Sequence, residues 1–234
     1  MSNALVVGGT SGIGLATARR LRARGATVHV VGRDKERLDA VDAGLVGHQA
    51  DGADRDAMAA VAETIGTVDH LVVTLSGSEG MGPIATLDLD TLHRAFDAKF
   101  WGHVTTVQAV LPRLAPTGSI TLVSAITART GMAGTAGLAA INGAIESLVQ
   151  PLAVELAPIR VNGVSPGLVD TPWWSGMPED ARQEYFAQCA AALPVRRVAT
   201  ADDVAEVVVL AATNPNLTGT VIETDGGARL VSLG

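Results

Sequence analysis

The chain is poor in aromatic residues: Phe, Trp and Tyr make up 3% of its 234 residues, and Tyr185 is the one tyrosine. Its core must therefore be filled by Ala, Val, Leu and Ile, which suits a parallel sheet buried beneath helices. Cysteine is nearly absent too. With Cys189 alone no disulfide forms within the chain, so a reducing, cytoplasmic setting is expected. Cys189 itself reads as small filler on a helix. Basic charge is scarce: 17 Lys and Arg against 24 Asp and Glu leave a formal charge of −7. That excludes nucleic acid and anionic membrane as main partners, because both are held by clustered cations, but it leaves room for a local phosphate pocket. His29, His48, His70 and His93 are scattered without metal-ligand spacing, so no catalytic metal is expected. No apolar run is expected to reach membrane-spanning length. The start, MSNALVVGGT, lacks the basic region and apolar length of a signal peptide.

What is present is alternation. Short β-branched runs such as NALVVGG, ATVHVVG, VDHLVVTLS and GSITLVS are separated by helical patterns at about 13–24, 88–114, 134–156 and 202–212. Alternation throughout predicts an α/β fold with a doubly wound parallel sheet and right-handed crossovers. No linker or repeat divides the chain, so residues 1–234 are read as a single domain. The stretch 172–197, with Pro172, Trp173 and Trp174, is the one substantial excursion between elements. It follows a strand end, where open α/β sheets bind ligands.

The segment LVVGGTSGIGLATARRL puts Gly8, Gly12 and Gly14 between the first strand and the first helix. Gly8 allows a tight turn. Gly12 and Gly14 clear side chains where backbone approaches a pyrophosphate, and Thr10, Ser11 and Ile13 complete the loop. After a first strand, such a loop points to a dinucleotide. This G-x-x-x-G-x-G loop resembles that of the short-chain dehydrogenase/reductase family. The likeness extends through VVGRD, HQAD, AVELAPIRVNGVSPGLVDTP and TGTVIETDGGARL. It implies a Rossmann-type sheet flanked by helices on both faces, a nicotinamide dinucleotide, a small-molecule substrate, and a homodimer or homotetramer.

By that resemblance Asp51 contacts adenine, Ser76 lies in the loop after the fourth strand, Thr171 reaches the nicotinamide amide, and Pro166 and Gly167 shape the wall beside it. NAD-preferring members carry an acid where this chain has Gly32. Arg33 follows and suits a 2′-phosphate, which favours NADP(H) over NAD(H). The competing reading pairs Arg33 with a surface acid and leaves Asp34 as a helix cap. Ser11 offers no second basic group.

The family's usual catalytic set is Asn, Ser, Tyr and Lys, with Tyr as acid and Lys tuning its pKa. In GLAAINGAIESL the Lys position falls on Asn142 and the Tyr position on Leu138; the Ser position falls on Ala125, beside Ser124, and the Asn position on Lys99. Leu138 belongs to an apolar stripe with Ile141, Ile145 and Leu148, so its expected task is packing. Lys and Asn have exchanged places. Two readings of Lys99 stand open: a solvated lysine on a long helix, or an amine kept in the site, holding a ribose hydroxyl or donating a proton. Lys99, Ser124 and Asn142 are the candidate catalytic residues. His103, one turn beyond Lys99, reads as a core or interface residue. Three functions compete: an NADP(H)-dependent oxidoreductase for a hydrophobic carbonyl or imine, an NADP(H)-binding protein without turnover, and a fold relic.

Overall fold

The strands form where β-branched and aliphatic runs are too short to make a stable helix. The computed structural model describes residues 2–77 and 79–231. Its strands are β1 (Asn3–Val7), β2 (Thr27–Gly32), β3 (Leu45–Gln49), β4 (Val68–Val73), β5 (Leu114–Val123), β6 (Arg160–Pro166), β7 (Val169–Asp170), β8 (Ala199–Thr200) and β9 (Val221–Thr224). Its helices are α1 (Gly12–Ala23), α2 (Lys35–Asp39), α3 (Arg55–Ile65), α4 (Leu89–Phe96), α5 (Gly102–Val110), α6 (Ala136–Glu155), α7 (Glu179–Ala192) and α8 (Ala201–Thr213).

Seven strands make one parallel sheet in the order β3-β2-β1-β4-β5-β6-β9, while β7 and β8 pair apart from it. Side chains alternate across the sheet with the period of a strand. Leu5 and Val7 pack with Met58 of α3, Val110 of α5 and Ile145 of α6; Ala4 and Val6 pack with Leu21 of α1 and Val208 of α8. The result is a single-domain, doubly wound Rossmann-type fold with a core on each face. Strand order reverses between β1 and β4, so the crevice at their carboxyl ends is the place for a ligand.

Three elements differ from the sequence reading. The helix expected over 88–114 is broken: α4 gives way to a π-turn, Asp97–Trp101, before α5 resumes, and a 3₁₀ turn, Leu111–Arg113, follows. The excursion 172–197 holds a 3₁₀ turn, Pro172–Gly176, and the 14-residue α7. Periodicity misses α7 because Cys189 is its one buried side chain. Third, α6 spans 20 residues and is, by length and composition, apolar enough to cross a membrane, although Glu146 interrupts the run and Glu155 ends it. Here Ile141, Ile145 and Val149 of α6 are buried against the sheet.

Candidate active site

The chain leaves β1 through a loop whose backbone is folded on itself. Gly8 adopts φ +84°, and a Cβ on Gly14 would stand 2.2 Å from the Gly8 carbonyl oxygen and 2.6 Å from Thr74 Oγ1. No side chain fits there. Thr74, just past β4, locks the turn by donating to the carbonyls of Val7 (3.0 Å) and Gly8 (3.2 Å). Thr74 was not singled out by the sequence reading, because it occupies a position where the family has an amide. Helices α3, α4 and α8 begin with side-chain caps from Asp54, Asp88 and Thr200, but Ser11 places no side chain on the start of α1. The first-turn N–H groups of α1 thus face the crevice with no partner inside the helix. That cradle fits a pyrophosphate.

Above the loop lies a cleft of about 650 Å³. Every residue singled out from the sequence lines it: Gly8, Thr10, Ser11, Gly12, Ile13 and Gly14 at the floor, Arg33 and Asp51 at one end, Ser76 across β4, and Pro166, Gly167 and Thr171 beyond β6. Thr171 sits against Gly12, 3.4 Å from where a Cβ would stand. Gly167 is required for another reason, since a Cβ there would meet the Asp225 backbone at 2.7 Å.

At the adenosine end Arg33 Nη1 lies 3.8 Å from Asp51 Oδ2, both exposed, so the contact is weak and the guanidinium is available. Asp34 caps α2 through the N–H groups of Glu36 and Arg37. Gly32 has Thr10 packed on it, with Cγ2 2.5 Å from a Cβ position, so the fold has closed over the spot where an acid would stand. A second basic residue does line this end: Arg37, one turn along from Arg33. The sequence reading missed it because it looked for a partner only in the glycine loop.

At the opposite end Lys99 and Asn142 meet. Lys99 Nζ donates to Asn142 Oδ1 at 2.7 Å, with a longer contact of 3.4 Å to the Ser124 carbonyl. Both side chains are buried, and burial pushes the Lys99 ammonium down to about 8. Lys99 is thus not a solvated surface lysine. It belongs to the π-turn, whose extra residue lifts it out of helical register. His103 secures that turn: its Nδ1 lies 2.7 Å from the Lys99 carbonyl oxygen and its Nε2 is buried without a partner among the described residues. Burial first, and then Lys99, push the His103 imidazole down to about 4, so it is neutral. Asn142 completes its bonding through Nδ2, which donates to Thr127 Oγ1 and to the Leu138 carbonyl, both at 2.9 Å.

Ser124 departs from expectation. Its hydroxyl donates to Glu146 Oε1 at 2.8 Å and lies 3.3 Å from the Val164 carbonyl. Glu146 is in turn held by Arg129 at 2.7 Å. Glu146 is outside the cleft lining, so the Ser124 hydroxyl serves this bracing network. Over the cleft, Trp173 Nε1 donates to the Gly77 carbonyl at 2.9 Å, and Trp174 packs on Trp173 and Tyr185 with ring centroids 4.6 and 5.4 Å apart. Burial first, then Cys189, push the Tyr185 phenol up to about 12. Among the described residues no three His, Cys, Asp or Glu side chains are grouped to hold a metal.

A glycine cradle at the β1/β4 switch point and a buried Lys99–Asn142 pair thus line one cleft. Residues 7–229 match the family model described as Enoyl-(Acyl carrier protein) reductase, a branch of the short-chain dehydrogenase/reductases. The chain belongs to the short-chain dehydrogenase/reductase family. It is 34% identical to cis-4-hydroxycyclohexanecarboxylate dehydrogenase of Sinomonas cyclohexanicum, over 97% of this chain and 96% of that one. A small-chain dehydrogenase solved in complex with NADPH superposes with a TM-score of 0.88 at 39% identity, covering 98% of this chain and 99% of the other. A short-chain oxidoreductase of Pseudomonas aeruginosa PAO1, described with NADPH bound and an atypical catalytic center, superposes at 0.89 with 29% identity, over 97% and 96% of the two chains. Membership makes the chain an oxidoreductase-family protein with a nicotinamide site.

Proposed function

We propose that the protein is an NADP(H)-dependent oxidoreductase for a small, mostly apolar carbonyl compound or the matching alcohol, working without the usual Asn-Ser-Tyr-Lys set. One observation carries this reading: a buried amine and amide, 2.7 Å apart, line the cleft at the end where the family does its chemistry. The glycine loop and the α1 N-terminus would hold the pyrophosphate, Thr171 the carboxamide, and Arg33 with Arg37 a 2′-phosphate. The reduced nicotinamide, when bound, supplies a hydride. As the new C–H bond forms, the carbonyl π pair moves to oxygen. The Lys99 ammonium stabilises that charge and gives up a proton to make the alcohol, then regains one from solvent. A cation beside the reacting atom repels an iminium, so a carbonyl is favoured over an imine-type substrate.

The excursion 172–197 serves as the substrate cover, hooked to Gly77 by Trp173. Its aromatic residues ask for an apolar substrate, and the likeness to the Sinomonas relative makes alicyclic ketones the first to try. Exposed Trp101 and Val154 on the layer that holds α5 and α6 suit a homodimer or homotetramer. A cytoplasmic setting agrees with the lone buried Cys189.

The test is transfer of deuterium from 4-deuterated NADPH to a panel of alicyclic ketones, read by mass spectrometry. Labelled alcohol supports the reading. Binding of NADPH with no labelled product from any ketone would leave a nucleotide-binding protein without turnover, the reading favoured by the absence of a tyrosine on α6.

A further inference from the structure

We propose that Thr127 supplies the hydroxyl that grips the substrate oxygen. The inference rests on the oxidoreductase reading above and follows from the direction of hydrogen bonds around Asn142. An ammonium only donates. Asn142 therefore presents Oδ1 to Lys99, at 2.7 Å, and its amide orientation is fixed. The two Nδ2 hydrogens then point away from Lys99, one to the Leu138 carbonyl and one to Thr127 Oγ1. Thr127 is thereby an acceptor, and its own hydrogen remains unspent: among the described residues it donates to nothing.

The neighbouring hydroxyls differ. Ser124 is committed to Glu146, and Thr135 to the Met132 carbonyl at 2.8 Å. Thr127 lies half-buried on the 3₁₀ turn Ile126–Arg129, two residues past Ala125, and lines the cleft. A hydroxyl polarised from behind by an amide that is itself bonded to a cation is a stronger donor than an isolated one. Thr127 keeps its proton throughout; its part is a hydrogen bond to the oxygen on which charge develops, while Lys99 supplies the proton.

The experiment uses the full chain with NADP⁺, which cannot give a hydride, and cyclohexanone labelled with ¹³C at the carbonyl. Infrared difference spectra report the carbonyl stretch of the bound ketone, and kcat and KM are measured separately with NADPH. The stretch is lowered in the wild type and in Thr127→Ser, and returns toward its solution value in Thr127→Val, whose kcat falls about 10²-fold while NADPH affinity stays within about twofold. Asn142→Asp is the stricter control. A carboxylate there only accepts, so it captures the Thr127 hydrogen and, although Thr127 is intact, removes the Thr127 share of the lowered stretch, to the level seen in Thr127→Val. A Thr127→Val protein that keeps both the lowered stretch and wild-type kcat overturns the proposal, as does a wild type whose NADP⁺ complex binds no cyclohexanone. A lowered stretch with no deuterium transfer from labelled NADPH leaves Thr127 as the oxygen-binding group and removes the oxidoreductase reading instead.

Discussion

Lys99 is a cation buried with an amide and a carbonyl oxygen for company, and among the described residues it forms no ion pair with a carboxylate. Such a group is costly to keep. Lys99→Met is expected to lower kcat by about 10²–10⁴-fold, the range for loss of a general acid, with the NADPH dissociation constant little changed; steady-state kinetics beside a calorimetric titration separate the two. At the other end of the cleft the exposed Arg33 makes its weak contact with Asp51. Charge-assisted bonds to phosphate contribute roughly 1.5–3 kcal/mol. Arg33→Ala is therefore expected to weaken NADPH binding about 10–100-fold and to leave NADH affinity nearly unaltered. Equal loss for both dinucleotides would place Arg33 outside the 2′-phosphate site. Gly14→Ala tests the floor. With its Cβ 2.2 Å from the Gly8 carbonyl oxygen, the turn must open. The expected result is loss of the melting shift of about 5–11 °C that saturating NADPH gives the wild type.

Elements whose signals are local were readable from the residues alone. The glycine loop, the alternation of strands and helices, and the apolar spacing of Ile141 and Ile145 each follow from short-range stereochemistry, and they lead to the parallel sheet and the place of the cleft, whereas Leu138, expected to pack, is half-buried and lines the cleft. That Lys99 and Asn142 meet across the cleft was legible as well, because both fall on positions of one pattern. What escaped reading depends on contacts distant in sequence. The π-turn Asp97–Trp101 adds no unusual residue to the chain, and it is recognised by the burial of Lys99 and by the His103 contact with the Lys99 carbonyl. Ser124 was assigned a role in the cleft because its partner Glu146 lies 22 residues away. Thr127 was passed over because only the orientation of the Asn142 amide frees its hydrogen. Arg37 became visible once α2 was placed. The π-turn allows a test at this scale. Deleting Ala98 to restore an α-helical turn is expected to rotate Lys99 away from Asn142 and to reduce turnover to the level of Lys99→Met, with far-ultraviolet circular dichroism unchanged.

Across the whole molecule, buried bases tilt stability toward alkaline pH. His103 is held down to about 4 against an ordinary 6.5, so the unfolded chain takes up the proton first as pH falls. The stability tied to its neutral form is fully present above about pH 6.5 and is lost as pH drops through about 4. Burial lowers His29, His48 and His70 in the same direction, with smaller consequence because each keeps some contact with water. Lys99 acts at the other end of the scale. Its folded value of about 8 lies below its ordinary 10.5, so between them the unfolded state again binds more protons and stability rises with pH. Urea unfolding at pH 5, 7 and 9 gives the measurement, with each variant subtracted from the wild type to cancel every other titrating group. Relative to His103→Leu, the wild type is expected to lose about 2 kcal/mol between pH 7 and 5. Relative to Lys99→Met, it is expected to gain about 1 kcal/mol between pH 7 and 9. A wild-type-minus-Lys99→Met difference that stays level from pH 7 to 9 would mean that burial does not lower the Lys99 ammonium.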